Sequence, residues 1–348
     1  MGDRREDDSG GFTSSRRSFL KGASVLGVSA LTSGFSLFSE EAYGTQGLVV
    51  PTRNLVGYRA YVHGENEALS ADLSVNADEV FYTASLIKQV TLAKVFEEIE
   101  GGYLDWNDKI QVSSYAMIQS SHRAEFVELT IRQACKMAGS ASLNDATIAL
   151  AERIAAQEPV TRRLTHRQSK VLEDKFVRDH MMPLVQDLKM QHTLCTNSTG
   201  LPLYSTQDKQ NGYETMELPN SYSTLNDMAK MTSHILSEYP DYMDVFAQPF
   251  VAVNTYRKRI DNGNLLLPGS EREGADPYDG VVGMKSGSIH ASGHHLICVK
   301  EIDGKTLVST TIGSNKDDRV EDQRRVLDFA VETYNAKTAL QYEGGLTP

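Results

Sequence analysis

Strand-like runs lie at both ends of this chain and helix-like runs fill the middle, and that order restricts the possible fold more than any other feature. Near the start, 59–63 and 68–72 are short strand-like runs separated by Gly64-Glu65-Asn66, a turn-forming composition that predicts a hairpin. Near the end, 280–286, 296–302 and 306–312 read as strands, and Asp303-Gly304 is a strong hairpin turn between the last two. Between these ends, 85–99 carries Leu86, Val90, Ala93 and Ile99 at near-helical intervals and stops at Gly101-Gly102. The stretch 128–154 is helical in pattern, with a turn predicted at the small residues 138–142 and a fresh helix near Asn144-Asp145. Residues 176–188 and 224–236 are again helix-like, although Pro183 demands a kink or a break. Val320, Leu327, Val331 and Tyr334 mark a closing amphipathic helix. The pattern predicts an α/β (α+β) fold, one sheet closed by the two chain ends with an all-helical lobe inserted.

Three short motifs fall on this frame in order. Ser85-Leu86-Ile87-Lys88 opens the first long helix, where positions i and i+3 share a face and bring the Lys88 amine to the Ser85 hydroxyl. A serine hydroxyl needs a base to become a nucleophile, and a desolvated lysine near another cation can be neutral enough to serve. A helix start also offers free N–H groups to developing negative charge. Ser18-Phe19-Leu20-Lys21 has the same spacing, so the motif alone decides nothing. Ser142-Leu143-Asn144 sits in the inter-helix turn, where a hydroxyl can relay a proton and an amide can hold both a carbonyl and Lys88. The same residues could simply cap a helix. Lys285-Ser286-Gly287-Ser288 lies on a predicted strand. There Lys285 and Ser286 could meet a carboxylate, Gly287 could allow close backbone approach, and the Ser288 N–H could join that of Ser85 in an oxyanion hole.

Taken together with their flanking text, these residues resemble the low-molecular-weight penicillin-binding proteins, D-alanyl-D-alanine carboxypeptidases of the serine-peptidase type. The similarity runs through Thr83-Ala84-Ser85-Leu86-Ile87-Lys88, 144–152, Asn197-Ser198-Thr199-Gly200-Leu201-Pro202 and 280–287, and spans roughly 55–334. The resemblance implies a β-lactamase/transpeptidase-like fold, with a mostly antiparallel five-stranded sheet between helices. It also implies that Ser85 attacks the bond between two terminal D-alanines, with Lys88 as base, Ser142 and Lys285 assisting proton transfer, and Asn144 holding substrate. β-Lactams would acylate the same serine, and no metal or organic cofactor is implied. An arginine near the end of such chains helps bind the terminal carboxylate, and Arg319 falls at that distance, although pairing with Asp317 or Asp318 would also account for it.

The sequence departs from the family pattern in places: Ser286 stands where threonine is usual, and Thr199 where histidine is frequent. Stretches around 157–173 and 207–219 read as insertions, and the chain ends soon after Tyr334, without the further β-rich domain and amphipathic anchor of many relatives. Neighbouring readings remain a D,D-endopeptidase, a wall-binding protein without turnover, and a class A β-lactamase. The last needs an added glutamate, for which Glu158-Pro159 is the nearest candidate, but it follows Asn144 too closely.

Composition narrows the setting. A net charge of -11 opposes nucleic-acid binding, and the densest basic stretch, 162–170, has the spacing of a solvated helix face. The three cysteines cannot all pair within one chain and lack metal-site spacing, so Cys135 and Cys298 read as small core residues. His290, His294 and His295 cluster, but strand alternation sends the last two to opposite faces, against a zinc site. Arg16-Arg17 precedes an uncharged, weakly apolar stretch at 22–38, the form of a twin-arginine export signal, with Ala42-Tyr43-Gly44 offering a cleavage site. The expected organisation is a signal over 1–44, a catalytic domain over 45–340 and a tail over 341–348. After removal of the signal no segment reaches membrane-spanning length, and oligomeric state is not legible.

Overall fold

The structure, a computed structural model, describes residues 56–64, 73–120, 128–158, 164–202, 220–253 and 258–343. The expected strand at 68–72, the export segment and the 207–219 insertion lie outside the described residues. In chain order, β1 (Gly57–Val62), β2 (Leu73–Val75) and β3 (Phe81–Tyr82) lead into a 3-10 turn at Ala84–Ile87 and helix α1 (Lys88–Glu100). There follow β4 (Lys109–Gln111), α2 (Ser114–Ile118), β5 (Glu128–Thr130), α3 (Ile131–Gly139), α4 (Asn144–Ala156), α5 (His166–Phe176) and α6 (Met182–Asp187). The second half runs β6 (Tyr222–Ser223), α7 (Leu225–Glu238), α8 (Asp244–Ala247), β7 (Phe250–Val253) and β8 (Lys258–Asp261). It closes with β9 (Val281–Gly283), β10 (Ser286–Ile289), β11 (Gly293–Ile302), β12 (Lys305–Ser314) and α9 (Arg319–Glu343).

The main sheet has the order β10-β11-β12-β1-β2, antiparallel throughout, so the two ends of the chain close it as the sequence pattern predicts. It contains six strands where five were expected, because one edge is split: β9 and β10 both pair with β11 and are separated at Met284-Lys285. Ile297 holds both sides of the break, accepting from the Met284 N–H at 3.0 Å and donating to the Lys285 carbonyl at 2.8 Å. The turn between β11 and β12 has Asp303 and Gly304 at φ +48° and +72°, the left-handed pair that matches strand twist in a two-residue hairpin.

Period-two alternation sorts the sheet's side chains into two cores. Tyr58, Ala60, Val62, Leu296, Cys298 and Leu307 pack with Val326, Leu327 and Ala330 of α9. Tyr61, Ile297, Val299, Val308 and Ile312 face the other way, into the larger core that also contains Val90, Leu92 and Phe96 of α1. Helix α1 is buried almost all round over Lys88–Phe96, which makes it the central helix between sheet and lobe. The lobe side is built by α2–α6. Pro183 is accommodated there by a π-turn at Val177–Met181, which widens the helix just before the ring that cannot donate a hydrogen bond. Residues 164–173, part of a predicted insertion, include a regular lobe helix with a Thr165/Gln168 capping box. Cys135, Cys195 and Cys298 are all buried free thiols.

Candidate active site

Ser85 lies in the 3-10 turn, one residue after Ala84, whose φ of +46° is unusual for a residue with a Cβ. Lys88 opens α1 and is fully buried. Its Nζ stands 2.6 Å from Ser85 Oγ, 2.7 Å from Asn144 Oδ1, 3.1 Å from the Ser142 carbonyl and 3.5 Å from Ser142 Oγ. Ser142 also has a positive φ, +58°, so strained backbone occurs on both sides of the amine. Asn144 is fixed in turn by its own amide N–H, which donates to the Gln119 carbonyl at the end of α2 at 3.0 Å.

Lys285 is the second fully buried amine, seated where the sheet edge breaks, and its Nζ donates to the Ser286 carbonyl at 2.8 Å. Burial lowers its pKa to about 7. Burial also holds Lys88 well below the usual lysine range, the charge of Lys285 pushes the same way, and Asp145 opposes both. A neutral Lys88 at 2.6 Å can take the Ser85 proton, and an uncharged amine is the form that this environment favours.

The turn carrying Ser85 is pressed from several sides by backbone. A Cβ on Gly287 would lie 3.0 Å from the Thr83 carbonyl and 3.2 Å from the Leu86 nitrogen, so this glycine lets β10 lie against the serine turn itself. The sequence reading gave that glycine to substrate approach; the contact with the turn supplies a separate reason for it. Gly200 does the same from below, where a Cβ would fall 1.8 Å from the Ala84 carbonyl. Thr83 donates its N–H to the Ser221 carbonyl at 3.1 Å, continuing the β3–β6 ladder to the foot of the turn. His295, buried against Phe81, accepts the Gly313 N–H at Nδ1 (3.1 Å). Its proton therefore resides on Nε2, which lies 3.1 Å from the Tyr82 carbonyl and 2.9 Å from Ser292 Oγ. Burial lowers its pKa to about 3, so it is a neutral clamp.

The remaining predicted residues occupy the open edge. Ser286 is half-buried with its hydroxyl against Gly263, where any Cβ would collide with it. Ser288 is exposed on β10, and its Oγ is 2.8 Å from His294 Nδ1. His294 is lowered to about 4, by burial and then by the charges of Arg319 and Lys316, which sets Arg319 near this end of the strand. The pKa of Arg319 is lowered by burial and by the charge of Arg272. Glu158 is exposed beyond the left-handed end of α4. Among the described residues no three metal-ligating side chains converge.

Gln119, Gly200, Ser221 and His295 were not singled out for the site by motif reading. Only Gly200 had a signal, since it lies in the Asn197–Pro202 stretch that resembles the family.

Sheet, lobe and three motifs around one buried amine define a β-lactamase/transpeptidase-like serine peptidase fold. The family model for D-alanyl-D-alanine carboxypeptidases matches residues 73–316, and the chain belongs to that serine-peptidase family. It is 24% identical over 268 residues to D-alanyl-D-alanine carboxypeptidase DacA of Haemophilus influenzae, covering 75% of this chain and 58% of that one. Its likeness to DacF of Bacillus subtilis is 24% over 265 residues, covering 74% of this chain and again 58% of the relative. The chain thus spans under two thirds of the length of these curated relatives. Among solved structures, it resembles a penicillin-binding protein of Listeria monocytogenes in an ampicillin-bound form, with TM-score 0.60, 20% identity and coverage of 80% and 97%. It also resembles the carboxypeptidase DacD of Francisella tularensis, with TM-score 0.62, 18% identity and coverage of 85% and 76%.

Proposed function

We propose that this protein is a serine-type D-alanyl-D-alanine carboxypeptidase that trims peptidoglycan stem peptides through an acyl-enzyme on Ser85, and that β-lactams acylate the same residue. The observation that carries the reading is the 2.6 Å contact between Ser85 Oγ and a fully buried Lys88 whose charged form is disfavoured. In the first step the Ser85 oxygen bonds to the carbonyl carbon of the penultimate D-alanine while Lys88 takes the hydroxyl proton. The carbonyl oxygen becomes an oxyanion facing the N–H groups of Ser85 and Ser288. When the C–N bond breaks, the proton passes through Ser142 to the departing D-alanine amine, with Lys285 keeping the relay charged appropriately. Water then cleaves the ester and restores Ser85. Lys285, Ser286 and Arg319 receive the terminal carboxylate, Asn144 steadies Lys88 and a substrate carbonyl, and Gly287 keeps the strand close to the turn.

The domain assignment is part of the same proposal: an export signal over 1–44 read by the twin-arginine route, the catalytic domain over 45–340 and a short tail over 341–348. Action outside the cytoplasmic membrane follows from the substrate. Among the described residues no helix is long and apolar enough to cross a membrane. The test is intact-protein mass spectrometry after penicillin treatment. One β-lactam adduct is expected on the wild type and none on Ser85→Ala; an unmodified wild type, or an adduct that persists in the variant, sinks the proposal.

A further inference from the structure

Two glutamates are buried in the lobe, Glu152 on α4 and Glu173 on α5, each about 1% exposed, and among the described residues neither is ion-paired with lysine or arginine. Their partners are hydroxyl and amide groups. Glu152 Oε1 accepts from Ser113 Oγ at 2.7 Å. Glu173 Oε2 accepts from Tyr115 Oη at 2.8 Å, and Oε1 accepts both the Ser198 hydroxyl at 2.7 Å and the Ser198 N–H at 3.1 Å. Burying a carboxylate beside another without a counter-ion is costly, and burial raises Glu152 to about 7 with Glu173 adding to the rise. A neutral side chain would avoid that cost, so the location of the far end of this network matters.

That far end is the turn carrying Ser85. Ser198 belongs to the stretch Asn197–Leu201, which is cross-tied internally: Asn197 Oδ1 accepts the N–H groups of Thr199 (3.0 Å) and Gly200 (2.7 Å), and Asn197 Nδ2 donates to the Leu201 carbonyl at 2.8 Å. The unit acts on the site through two arms. Gly200 presses on the Ala84 carbonyl, and the Ser198 carbonyl accepts from Thr91 Oγ1 at 2.8 Å, one turn along α1 from Lys88. Three donors converge on the two oxygens of Glu173: the Tyr115 hydroxyl, the Ser198 hydroxyl and the Ser198 N–H.

We propose that Glu173 is a positioning residue for Ser85: its carboxylate clamps Ser198, and the Asn197–Leu201 stretch transmits that clamp to Ala84 and to α1. The proposal rests on the acyl-enzyme reading above and deepens it. Catalysis of this kind depends on the serine–lysine geometry being held to within about half an ångström. A lobe helix that the sequence pattern assigned to an insertion thereby becomes part of the site's support.

The experiment measures the acylation rate with a fluorescent penicillin across several concentrations, separating the non-covalent binding constant from the covalent step, with thermal melting alongside. Glu173→Ala is expected to slow the covalent step by about 10–100-fold while non-covalent binding is unchanged. Glu173→Gln should recover most of the rate, since one oxygen can still hold Ser198 and the Tyr115 hydroxyl can turn to accept. Tyr115→Phe removes a bond to the same carboxylate but leaves Ser198 clamped; it should melt earlier than wild type and acylate at nearly the wild-type rate. If Glu173→Ala does not fold, Ser198→Ala takes its place, with a several-fold slower covalent step expected. Wild-type acylation with an equal rate in Glu173→Ala or Ser198→Ala overturns the positioning role alone, as does a Tyr115→Phe rate reduced as much as theirs. No acylation of the wild type overturns the catalytic reading and this inference with it.

Discussion

The site has two fully buried amines, Lys88 on the central helix and Lys285 at the sheet edge, and they are held in different ways. Lys88 has four oxygen contacts drawn from Ser85, Ser142 and Asn144, whereas the Lys285 amine donates to one carbonyl, that of its own neighbour. Hydrogen bonds to oxygen partly replace lost water, so Lys88 is anchored in a defined geometry while Lys285 retains donors for a ligand. The supports differ in the same way. Around Lys285 the structure relies on backbone, with a split edge strand, Gly287 against the turn and the neutral His295 clamp. Behind Lys88 it relies on buried polar side chains, including two glutamates. The sheet side thus owes its shape to hydrogen-bond ladders and the lobe side to hydrogen bonds between buried polar side chains.

The sharpest way to break this comparison is to remove each amine. Lys88→Met should lower the penicillin acylation rate by about 10³-fold or more, because the base in contact with Ser85 is lost. Lys285→Met should cost about 10²-fold and weaken binding of carboxylate-bearing substrates, seen as a raised KM. Equal losses with unchanged KM in both would dissolve the distinction between the two sides.

A smaller effect concerns pH. The acylation rate should rise with pH well below the ordinary lysine range, since burial and the charge of Lys285 lower the pKa of Lys88, which must be neutral to activate Ser85. Lys285 lowers the Lys88 pKa, so Lys285→Met should move the rise in residual activity to higher pH. A stopped-flow pH profile that moves the other way contradicts the electrostatic coupling.

The smallest effect belongs to the lobe network. The Glu152 carboxyl is raised from its ordinary value near 4.5 to about 7. A raised acid keeps its proton longer in the folded chain, so the stability present below about 4.5 is lost as pH climbs towards 7. Glu152→Gln should flatten that stretch of the stability curve by up to about 3 kcal/mol, measured by denaturant melts from acid to neutral pH. An unchanged slope would show that Glu152 does not titrate between the two states.

Much of the fold was legible because it rests on local rules. Periodicity located the central helix, the closing helix and the last hairpin, and the small residues before Asn144 located the inter-helix turn. Position 128 onward was read as helix but begins with a short strand, Glu128–Thr130, pairing with Lys109–Gln111. Three residues are too few for a period to register, and their partner is some twenty residues away. The sixth strand escaped for a related reason: the break at Met284-Lys285 leaves the edge pattern nearly continuous in sequence.

Within the site, spacing along a helix start placed Lys88 within reach of Ser85, although the same spacing at Ser18 and Lys21 meant that it could not by itself mark the pair. The chain itself also determined which chemistries were available, through its hydroxyls, amines and amide, and which elements carried them. Tertiary structure decided what those groups became. Lys88 meets Asn144 across 56 residues of chain, and Lys285 is fully buried only in the folded chain. Desolvation and long-range contact have no local signature, since each depends on what the folded chain places on the other side. For that reason the two lysines could be named in advance, but their altered protonation could not.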